Sequence, residues 1–158
     1  METDMKIVVL DRSSVGADVS VAPFEKYGEV VLYSNTVAAE AAERVKDADI
    51  IVVNKTPMNE TTLSGASRVR LICEFATGFD NIDLDYCRSR GITVVNVRNY
   101  STAVVAQHTF AMALYLLEKL RYYDDYVKNG VYASQSSFSH FGMTFGELEG
   151  KTWVIVGM

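Results

Sequence analysis

NYSTAVVAQHTFAMALYLLEKLR, residues 99–121, is the stretch around which the rest of the chain is organised. Ser101 or Thr102 can cap a helix N-terminus, and the residues from Ala103 to Leu117 carry no formal charge. A helix that is apolar on nearly all sides is normally buried, and its alanines let a neighbouring backbone come close. We therefore predict a long helix, residues 101–121, wedged between two bodies. The run is too short and too often interrupted to span a bilayer.

The residues before this helix alternate short apolar runs with helical and turn-rich segments. This regular alternation predicts a parallel sheet of about five strands with helices on both faces, an α/β fold of the flavodoxin-like, doubly wound kind. The predicted strands are Lys6–Leu10, Val30–Tyr33, Asp49–Val53, Arg70–Phe75 and Ile92–Val95. The predicted helices are a short one at Pro23–Tyr27, Val37–Ala48 with Thr36 as its cap, one that Asn59 opens and that closes near Gly65, and Asp83–Arg90.

Four loops are candidate binding sites, because ligands of such sheets lie outside the carboxyl ends of the strands. These loops are Asp11–Gly16, Asn54–Pro57, Ala76–Asp80 and Asn96–Ser101. The first, DRSSVG, could also hold a flavin phosphate, although it has fewer threonines and glycines than such loops usually have.

The composition excludes several classes of partner. The chain has 158 residues, room for about one domain, and a net charge of -5, which argues against nucleic acid and anionic membranes as partners. Cys73 and Cys87 have neither CxxC spacing nor a nearby histidine, which argues against zinc and against a disulfide framework. The N-terminus lacks the long apolar core of a signal peptide, so we expect a cytoplasmic protein.

The end of the chain points to a second domain. Residues 122–150 are rich in tyrosine, phenylalanine and serine. We predict that they form a connecting segment that contains one short helix. Then Thr152–Val156 (TWVIV) and Gly157 are typical of the first strand of a dinucleotide-binding domain, whose glycine turn holds a pyrophosphate on backbone N–H groups. A simple last buried strand is the alternative. The chain is thus predicted to consist of a main domain (residues 1–100), the long helix (101–121), a connecting segment (122–150) and the start of a second domain (151–158).

Several polar residues have both a chemical and a structural interpretation. The N–H groups of Thr77–Phe79 could accept a carboxylate, or Gly78 could simply serve a turn. Lys55 could attract an acidic substrate or be an ordinary surface lysine. Tyr100 could reach the same crevice or pack on a hinge. His108 could be an acid-base residue but is interpreted as a structural residue of the long helix. Asp80, Asp83 and Asp85 could bind a metal ion but are interpreted as turn and helix-start charges.

Four motifs in this order resemble the D-isomer-specific 2-hydroxyacid dehydrogenases, most closely the glycerate dehydrogenase and hydroxypyruvate reductase branch. They are NKTP at Asn54–Pro57, ATGFDNIDL at Ala76–Leu84, NYSTAVVAQHTFA at Asn99–Ala111 and ELEGKTWVIVGM at Glu147–Met158. The resemblance implies that residues 1–100 are the substrate-binding domain and that the helix 101–121 lies between domains. It implies that residues 151–158 begin the NAD-binding domain. It also places the family's catalytic Arg, Glu and His beyond Met158, so no catalytic residue and no metal ligand is expected in this chain.

The same resemblance assigns roles to individual residues. Thr77, Gly78 and Phe79 would hold the substrate carboxylate on their backbone amides, with Lys55 and Tyr100 around it. Val105 would lie near the nicotinamide, and Gly157 would begin the cofactor turn. Many members have proline where Arg98 stands, which leaves the identity of the substrate open.

The expected function is therefore the interconversion of a 2-oxo acid and a D-2-hydroxy acid by hydride transfer with NAD or NADP. By itself the chain is expected to be inactive and to bind no cofactor. Its uncovered long helix and last strand predict a homodimer, with exchanged tails as one arrangement. Two alternatives are a non-catalytic flavodoxin-like module that binds a ligand or a protein, and a flavin electron carrier.

Overall fold

The computed structural model describes residues 5–156, which divide into two compact units at Tyr100 and Ser101, residues 5–100 and 101–156. The first unit is built on a five-stranded parallel sheet with strand order β2-β1-β3-β4-β5, the order of the flavodoxin-like fold. The predicted fold class is confirmed. The strands are β1 Lys6–Val9, β2 Glu29–Leu32, β3 Ile50–Val53, β4 Leu71–Glu74 and β5 Thr93–Val95.

Helices connect the strands in the way that parallel pairing demands. A single-turn 3-10 helix spans Arg12–Ser14, and a longer 3-10 helix, at the predicted place before β2, spans Ala22–Tyr27. The α-helices of the first unit are α1 Ala38–Val45, α2 Glu60–Leu63 and α3 Leu84–Ser89. The second unit contains α4 Thr102–Leu117, α5 Leu120–Lys128 and α6 Val131–Ser134.

The core of the first unit lies on the two faces of the central strands. In β1, Val8 and Val9 are completely buried and Ile7 is 2% exposed, as expected of a strand covered on both faces. The predicted strands lie at the right places, but β1, β3, β4 and β5 are one or two residues shorter than predicted, and β2 is shifted by one residue toward the N-terminus. Their missing ends still extend the ladder by single hydrogen bonds, from Leu10 N to Val52 O at 2.9 Å and from Phe75 N to Val53 O at 2.8 Å.

Two of the predicted helix caps are correct. The side chain of Asn59 accepts a hydrogen bond from the N–H of Thr62, and that of Asp83 accepts one from the N–H of Tyr86. Each satisfies one of the N–H groups that the first turn of a helix leaves without a partner.

Two other predicted caps are wrong. Helix α1 begins after Val37, and the Thr36 hydroxyl instead donates to the backbone oxygen of Leu10 at 2.7 Å. Ser101 occupies the N-cap position of α4, but its side chain makes no capping bond and its backbone is already helical, with φ -112° and ψ -4°. A capping side chain needs an extended backbone at that position to reach the second or third N–H group.

Helix α4 is the predicted long helix, and no residue in it is buried. Leu116 is 68% exposed and Val104 is 65% exposed, so the described residues leave the helix uncovered, and its burial between two bodies stays a prediction. The apolar sequence requires a covering surface, and residues 5–156 do not supply one. The helix ends before Lys119, whose left-handed backbone, with φ 56°, separates it from α5. No helix in the described residues is long and apolar enough to cross a membrane.

The segment after α4 differs from its prediction, because it contains two short helices rather than one. Its aromatic residues pack on one another around His140. The Tyr126 ring stacks on the His140 ring with 3.9 Å between centroids, and the Tyr122 hydroxyl lies 2.7 Å from His140 Nε2.

The predicted strand at Thr152–Val156 is also wrong for the described residues. These residues form no strand, since no described strand lies beside them to accept and donate backbone hydrogen bonds. Gly157, the predicted start of a cofactor turn, lies outside the described residues.

Candidate functional site

Asp11 joins the loop after β1 to the loop after β3. Its Oδ2 accepts hydrogen bonds from the backbone N–H groups of Asn54, Lys55 and Thr56 at 2.9, 2.9 and 3.1 Å, and the Thr56 hydroxyl donates to Oδ1 at 2.9 Å. Burial alone would raise the pKa of this carboxyl group. The three N–H groups outweigh burial, so the pKa of Asp11 lies below its usual value. Asp11 is therefore an ionised anchor for the loop after β3.

Asn81 connects the loops after β3 and β4. Its Nδ2 donates to the backbone oxygen of Thr56 at 3.2 Å and to Oε2 of Glu74 at 3.1 Å. The two backbones are also joined directly, because Met58 N donates to Asn81 O at 2.8 Å. The two loops thus form one hydrogen-bonded layer at the carboxyl edge of the sheet.

The Ala76–Asp80 loop is held from its other side by the segment after β5. The Thr77 hydroxyl donates to Val97 O at 2.8 Å, and Asn96 Nδ2 donates to Thr77 O at 2.7 Å. The backbone N–H of Val97 completes the connection by donating to Ala76 O at 3.1 Å. The loops after β3, β4 and β5, three of the four candidate binding loops, are therefore joined to one another by hydrogen bonds. Asp11, the first residue of the fourth candidate loop, is hydrogen bonded to the loop after β3.

The backbone N–H groups of Thr77, Gly78 and Phe79 donate to no acceptor within residues 5–156. All three residues are exposed to solvent. Groups of this kind can bind an anion without first breaking an internal hydrogen bond. The structure thus leaves free the three donors that the sequence assigned to a carboxylate.

Gly78 does not have the backbone conformation that the turn interpretation would require. Its φ is outside the left-handed region, and a Cβ atom built on it meets only Asp80 Oδ2, at 3.8 Å. Neither the backbone nor the described neighbours therefore demand glycine here. A ligand that approaches the backbone closely remains a reason for glycine at this position.

Lys55 and Tyr100 lie in the first unit as predicted, at the ends of two different segments. Lys55 is exposed in the loop after β3, and its own N–H donates to Asp11. Tyr100 is 62% exposed and follows Asn99, whose left-handed backbone, with φ 59°, is one that asparagine tolerates. Phe79, which is 40% exposed, and Arg98 line a cavity of 190 Å³ together with Asn96.

Val105, the predicted cofactor residue among the described residues, belongs to the second unit. Val105 lies on α4 with 59% of its surface exposed, an apolar side chain without a covering neighbour. His108, on the same helix, is exposed rather than buried as we expected.

The metal and flavin interpretations find no support in the geometry. No group of three acidic, histidine or cysteine side chains in the described residues could hold a metal ion. Asp83 caps α3, and Asp85 pairs with Arg88 at 2.8 Å. The hydroxyls of Ser13 and Ser14 donate to Asn35 and to the backbone of Asp11, which leaves them bound within the protein.

Sequence reasoning missed Asp11, Glu74 and Asn81 as members of this site. A signal existed for Glu74, because a charged residue within the apolar run RLICEF is costly unless it is paired or functional. Asp11 stands at the end of the apolar run IVVL and could have been recognised in the same way. Asn81 gave no signal, since asparagine is common in turns.

Comparison with known proteins assigns the chain to a family. A family model described as "D-isomer specific 2-hydroxyacid dehydrogenase, catalytic domain" matches residues 7–149. The chain is 31% identical over 157 residues to a hydroxypyruvate reductase of Blautia hydrogenotrophica and 33% identical over 153 residues to a glycerate dehydrogenase of Methylorubrum extorquens. The alignments cover 97% and 96% of this chain but 49% and 48% of those proteins, so the chain spans about half the length of the curated relatives it matches.

A solved structure agrees with this assignment. The D-lactate dehydrogenase from Aquifex aeolicus, complexed with NAD and lactic acid, is similar with a TM-score of 0.64 and 34% identity, over 84% of this chain and 39% of that one. The match of the family model over most of the chain confirms what the four sequence motifs predicted. The chain belongs to the D-isomer-specific 2-hydroxyacid dehydrogenases.

Proposed function

We propose that this chain is the substrate-binding portion of an NAD(P)-dependent oxidoreductase that interconverts a 2-oxo acid and a D-2-hydroxy acid. The observation that carries the proposal is the set of exposed, unpaired backbone N–H groups at Thr77, Gly78 and Phe79. Both the 2-oxo acid and the 2-hydroxy acid carry a carboxylate, and N–H groups hydrogen bond strongly to such an anion. Hydroxypyruvate and glycerate are the first substrates to test, since the named relatives act on them.

Cations near these donors support an acidic substrate. Lys55 is exposed at the end of β3, and Arg98 is exposed beside Phe79 and Asn96. A protein whose net charge is -5 repels anions at long range, so local positive charge at the site favours their approach. Tyr100, exposed at the end of the first unit, is proposed as a further contact to the substrate.

The proposed cofactor is NAD or NADP, which supplies the hydride when it is bound. Val105 presents an exposed apolar side chain that fits contact with a nicotinamide ring, and Gly157 is proposed to begin the pyrophosphate turn. We propose that residues 1–158 alone bind substrate without reducing it, because the family resemblance implies that the catalytic Arg, Glu and His lie beyond Met158. NADH oxidation by the purified chain with hydroxypyruvate would contradict this part.

An NMR titration tests the carboxylate seat directly. Adding hydroxypyruvate to the 15N-labelled chain is expected to shift the amide resonances of Thr77, Gly78 and Phe79 in a saturable way. Dihydroxyacetone is the matched control ligand, because it keeps the ketone but replaces the carboxylate with an alcohol. Equal chemical-shift changes with both ligands, or changes confined to other residues, would refute the proposal that the Thr77–Phe79 amides bind the carboxylate. Substrate binding without turnover by a longer protein containing this chain would favour the non-catalytic module instead.

The second unit supports the proposal of a homodimer. Besides α4, the largely apolar residues 152–156 at the end of the described chain, here called the tail, are exposed. The exposed fraction is 74% for Val154 and 94% for Val156, and large apolar surfaces are rarely left uncovered in a soluble protein. A second copy of the chain, with or without exchange of the tail, is the proposed cover. Light scattering at micromolar concentration should give at least twice the mass of one chain, and a monomer would overturn the idea. Cys73 and Cys87 are free thiols, which supports a cytoplasmic location.

A further inference from the structure

Arg98 differs from every other arginine in the part of the chain that the structure describes. Each of the others makes a hydrogen bond or an ion pair within the chain, and these are Arg12, Arg44, Arg68, Arg70, Arg88, Arg90 and Arg121. The guanidinium of Arg98 has no such partner within residues 5–156, and the residue is exposed. Its N–H donors form a planar fork that matches the two oxygens of a carboxylate. Arg98 therefore presents a complete carboxylate-binding group to solvent.

The backbone that leads to Arg98 is fixed beside the N–H groups of Thr77–Phe79, the proposed carboxylate seat. The N–H of Val97 donates to the backbone oxygen of Ala76 at 3.1 Å, and the Thr77 hydroxyl donates to that of Val97 at 2.8 Å. Arg98 is the next residue, and it lines the 190 Å³ cavity together with Phe79, the last residue of the seat. The free guanidinium and the seat thus belong to one contiguous surface.

The cavity suits a short, partly apolar chain that ends in an anion. Its volume of 190 Å³ lies below the range of about 300–1,000 Å³ that is typical of sites for drug-sized ligands. Leu84, Val94 and Val95 give it an apolar wall against which methylene groups can pack. The side-chain amide of Asn96 already donates to the loop after β4. Arg98 is therefore the lining residue whose donors are all left for a ligand.

The acids near the seat leave the charge of Arg98 unpaired. Asp80 lies beside Gly78 but makes no ion pair with Arg98 within residues 5–156. Lys55, the other cation proposed for the site, already faces an acid, because burial raises the pKa of Glu74 and the charge of Lys55 opposes that rise. A monocarboxylate bound to the seat would leave the guanidinium unpaired. A second carboxylate on the same molecule would pair with it in the bidentate geometry that arginine favours.

We propose that Arg98 is a specificity-determining residue that binds a second carboxylate of the substrate. The substrate class is then a short 2-oxo dicarboxylic acid and the corresponding D-2-hydroxy dicarboxylic acid. One guanidinium matches the two oxygens of a carboxylate, whereas a phosphate would turn its third acceptor oxygen toward the apolar wall of the cavity. The inference rests on the proposed function, because it takes the Thr77–Phe79 amides as the seat of the first carboxylate.

Two matched acids test the second carboxylate by binding to the full 158-residue chain. D-Malate and D-2-hydroxybutyrate share the same carbon skeleton, and D-malate has a carboxylate where D-2-hydroxybutyrate has a methyl group. NMR titration at low salt is expected to give a Kd for D-malate about tenfold or more below that for D-2-hydroxybutyrate. Both acids should shift the amide resonances of Thr77–Phe79. Arg98→Met should remove most of the preference and leave the Kd for D-2-hydroxybutyrate within about twofold of wild type.

Two further variants separate the fork from the charge. Arg98→Lys keeps the positive charge but loses the bidentate geometry, so it should retain only part of the preference for D-malate. Lys46→Met removes a positive charge from an exposed position at the end of α1, outside the candidate loops, and should keep the full preference. A loss of folded structure would weaken the binding of both acids alike, whereas the loss of a specificity residue changes their ratio.

The outcomes distinguish this inference from the proposed function. Equal Kd values for the two acids in wild type, with shifts at Thr77–Phe79, would overturn the role of Arg98 and leave the proposed function standing. A preference that survives Arg98→Met would also overturn it. Tighter binding of 3-phospho-D-glycerate than of D-malate would replace the second carboxylate by a phosphate and refute the dicarboxylic class. If neither acid shifts the Thr77–Phe79 amides, the inference and the proposed function both fail.

Discussion

Replacing Gly78 with alanine tests the carboxylate seat while preserving the fold that carries it. The new Cβ atom would lie 3.8 Å from Oδ2 of Asp80, an ordinary van der Waals contact, and the backbone is not left-handed. At such a position the exchange stabilises a protein by about 0.4–1 kcal/mol, chiefly by restricting the unfolded chain. Gly78→Ala is therefore expected to have a free energy of unfolding equal to or slightly above that of wild type.

Binding should change in the opposite direction. A carboxylate oxygen bound by a backbone N–H lies about 2.7–2.9 Å from the nitrogen, so a methyl group on that residue competes for the same space. Losing one hydrogen bond to a charged group costs about 1.5–3 kcal/mol. Since about 1.4 kcal/mol corresponds to a tenfold change, the Kd for hydroxypyruvate should rise about tenfold or more.

Gly65→Ala is the matched control for this experiment. Gly65 also lies outside the left-handed region, a Cβ atom there meets nothing within 4 Å, and it belongs to none of the candidate loops. Urea unfolding and NMR titration of both variants separate stability from binding. Equal Kd values for the two variants would show that the carboxylate does not contact Gly78. A loss of stability in Gly78→Ala alone would refute our description of its backbone.

Three further substitutions have defined outcomes. Asp11→Asn should lower the free energy of unfolding by about 1.5–3 kcal/mol, because the ionised acceptor of four hydrogen bonds is lost. The pKa of Asp11 in the folded protein is lowered from 3.8, so the difference in unfolding free energy between wild type and Asp11→Asn should be complete above pH 3.8. The difference should shrink as the pH falls through the folded pKa. Urea unfolding at several pH values measures this dependence. Gly28→Ala should cost about 1–3 kcal/mol in the same assay, since its Cβ atom would lie 2.0 Å from Met5 O. Lys55→Met should weaken hydroxypyruvate binding at low salt, less so at high salt, and change the unfolding free energy by less than about 0.5 kcal/mol.

The strands were predictable from the sequence because burial on both faces requires an unbroken apolar run. Ile51, Val52 and Val53 show this pattern, and all three are at most 2% exposed. The strand order β2-β1-β3-β4-β5 is the one expected of the flavodoxin-like fold that the alternation of strands and helices predicted. The family motifs marked the Ala76–Asp80 loop, and the N–H groups of Thr77, Gly78 and Phe79 in it have no acceptor within residues 5–156.

Side-chain partners far apart in sequence were not predictable from it. Thr36 has the right chemistry for a cap, yet the oxygen of Leu10, 26 positions earlier, accepts its hydroxyl proton instead. Asp11 contacts residues 43 to 45 positions later. Local patterns carry no information about such contacts, because they depend on which loops the completed sheet brings together.

The buried acids explain how a loop can offer unpaired N–H groups and still be well positioned. Asp11 fixes the loop after β3, Asn81 and Glu74 connect it to the loop after β4, and Asn96 holds the carbonyl oxygen of Thr77. The backbone around the candidate seat is thus hydrogen bonded at its sides and its base, while its outward N–H groups are left for a ligand. A loop that is ordered before binding loses less conformational entropy when the ligand arrives. Under the proposed function, Asp11 and Asn81 therefore favour substrate binding by ordering these loops, without touching the substrate.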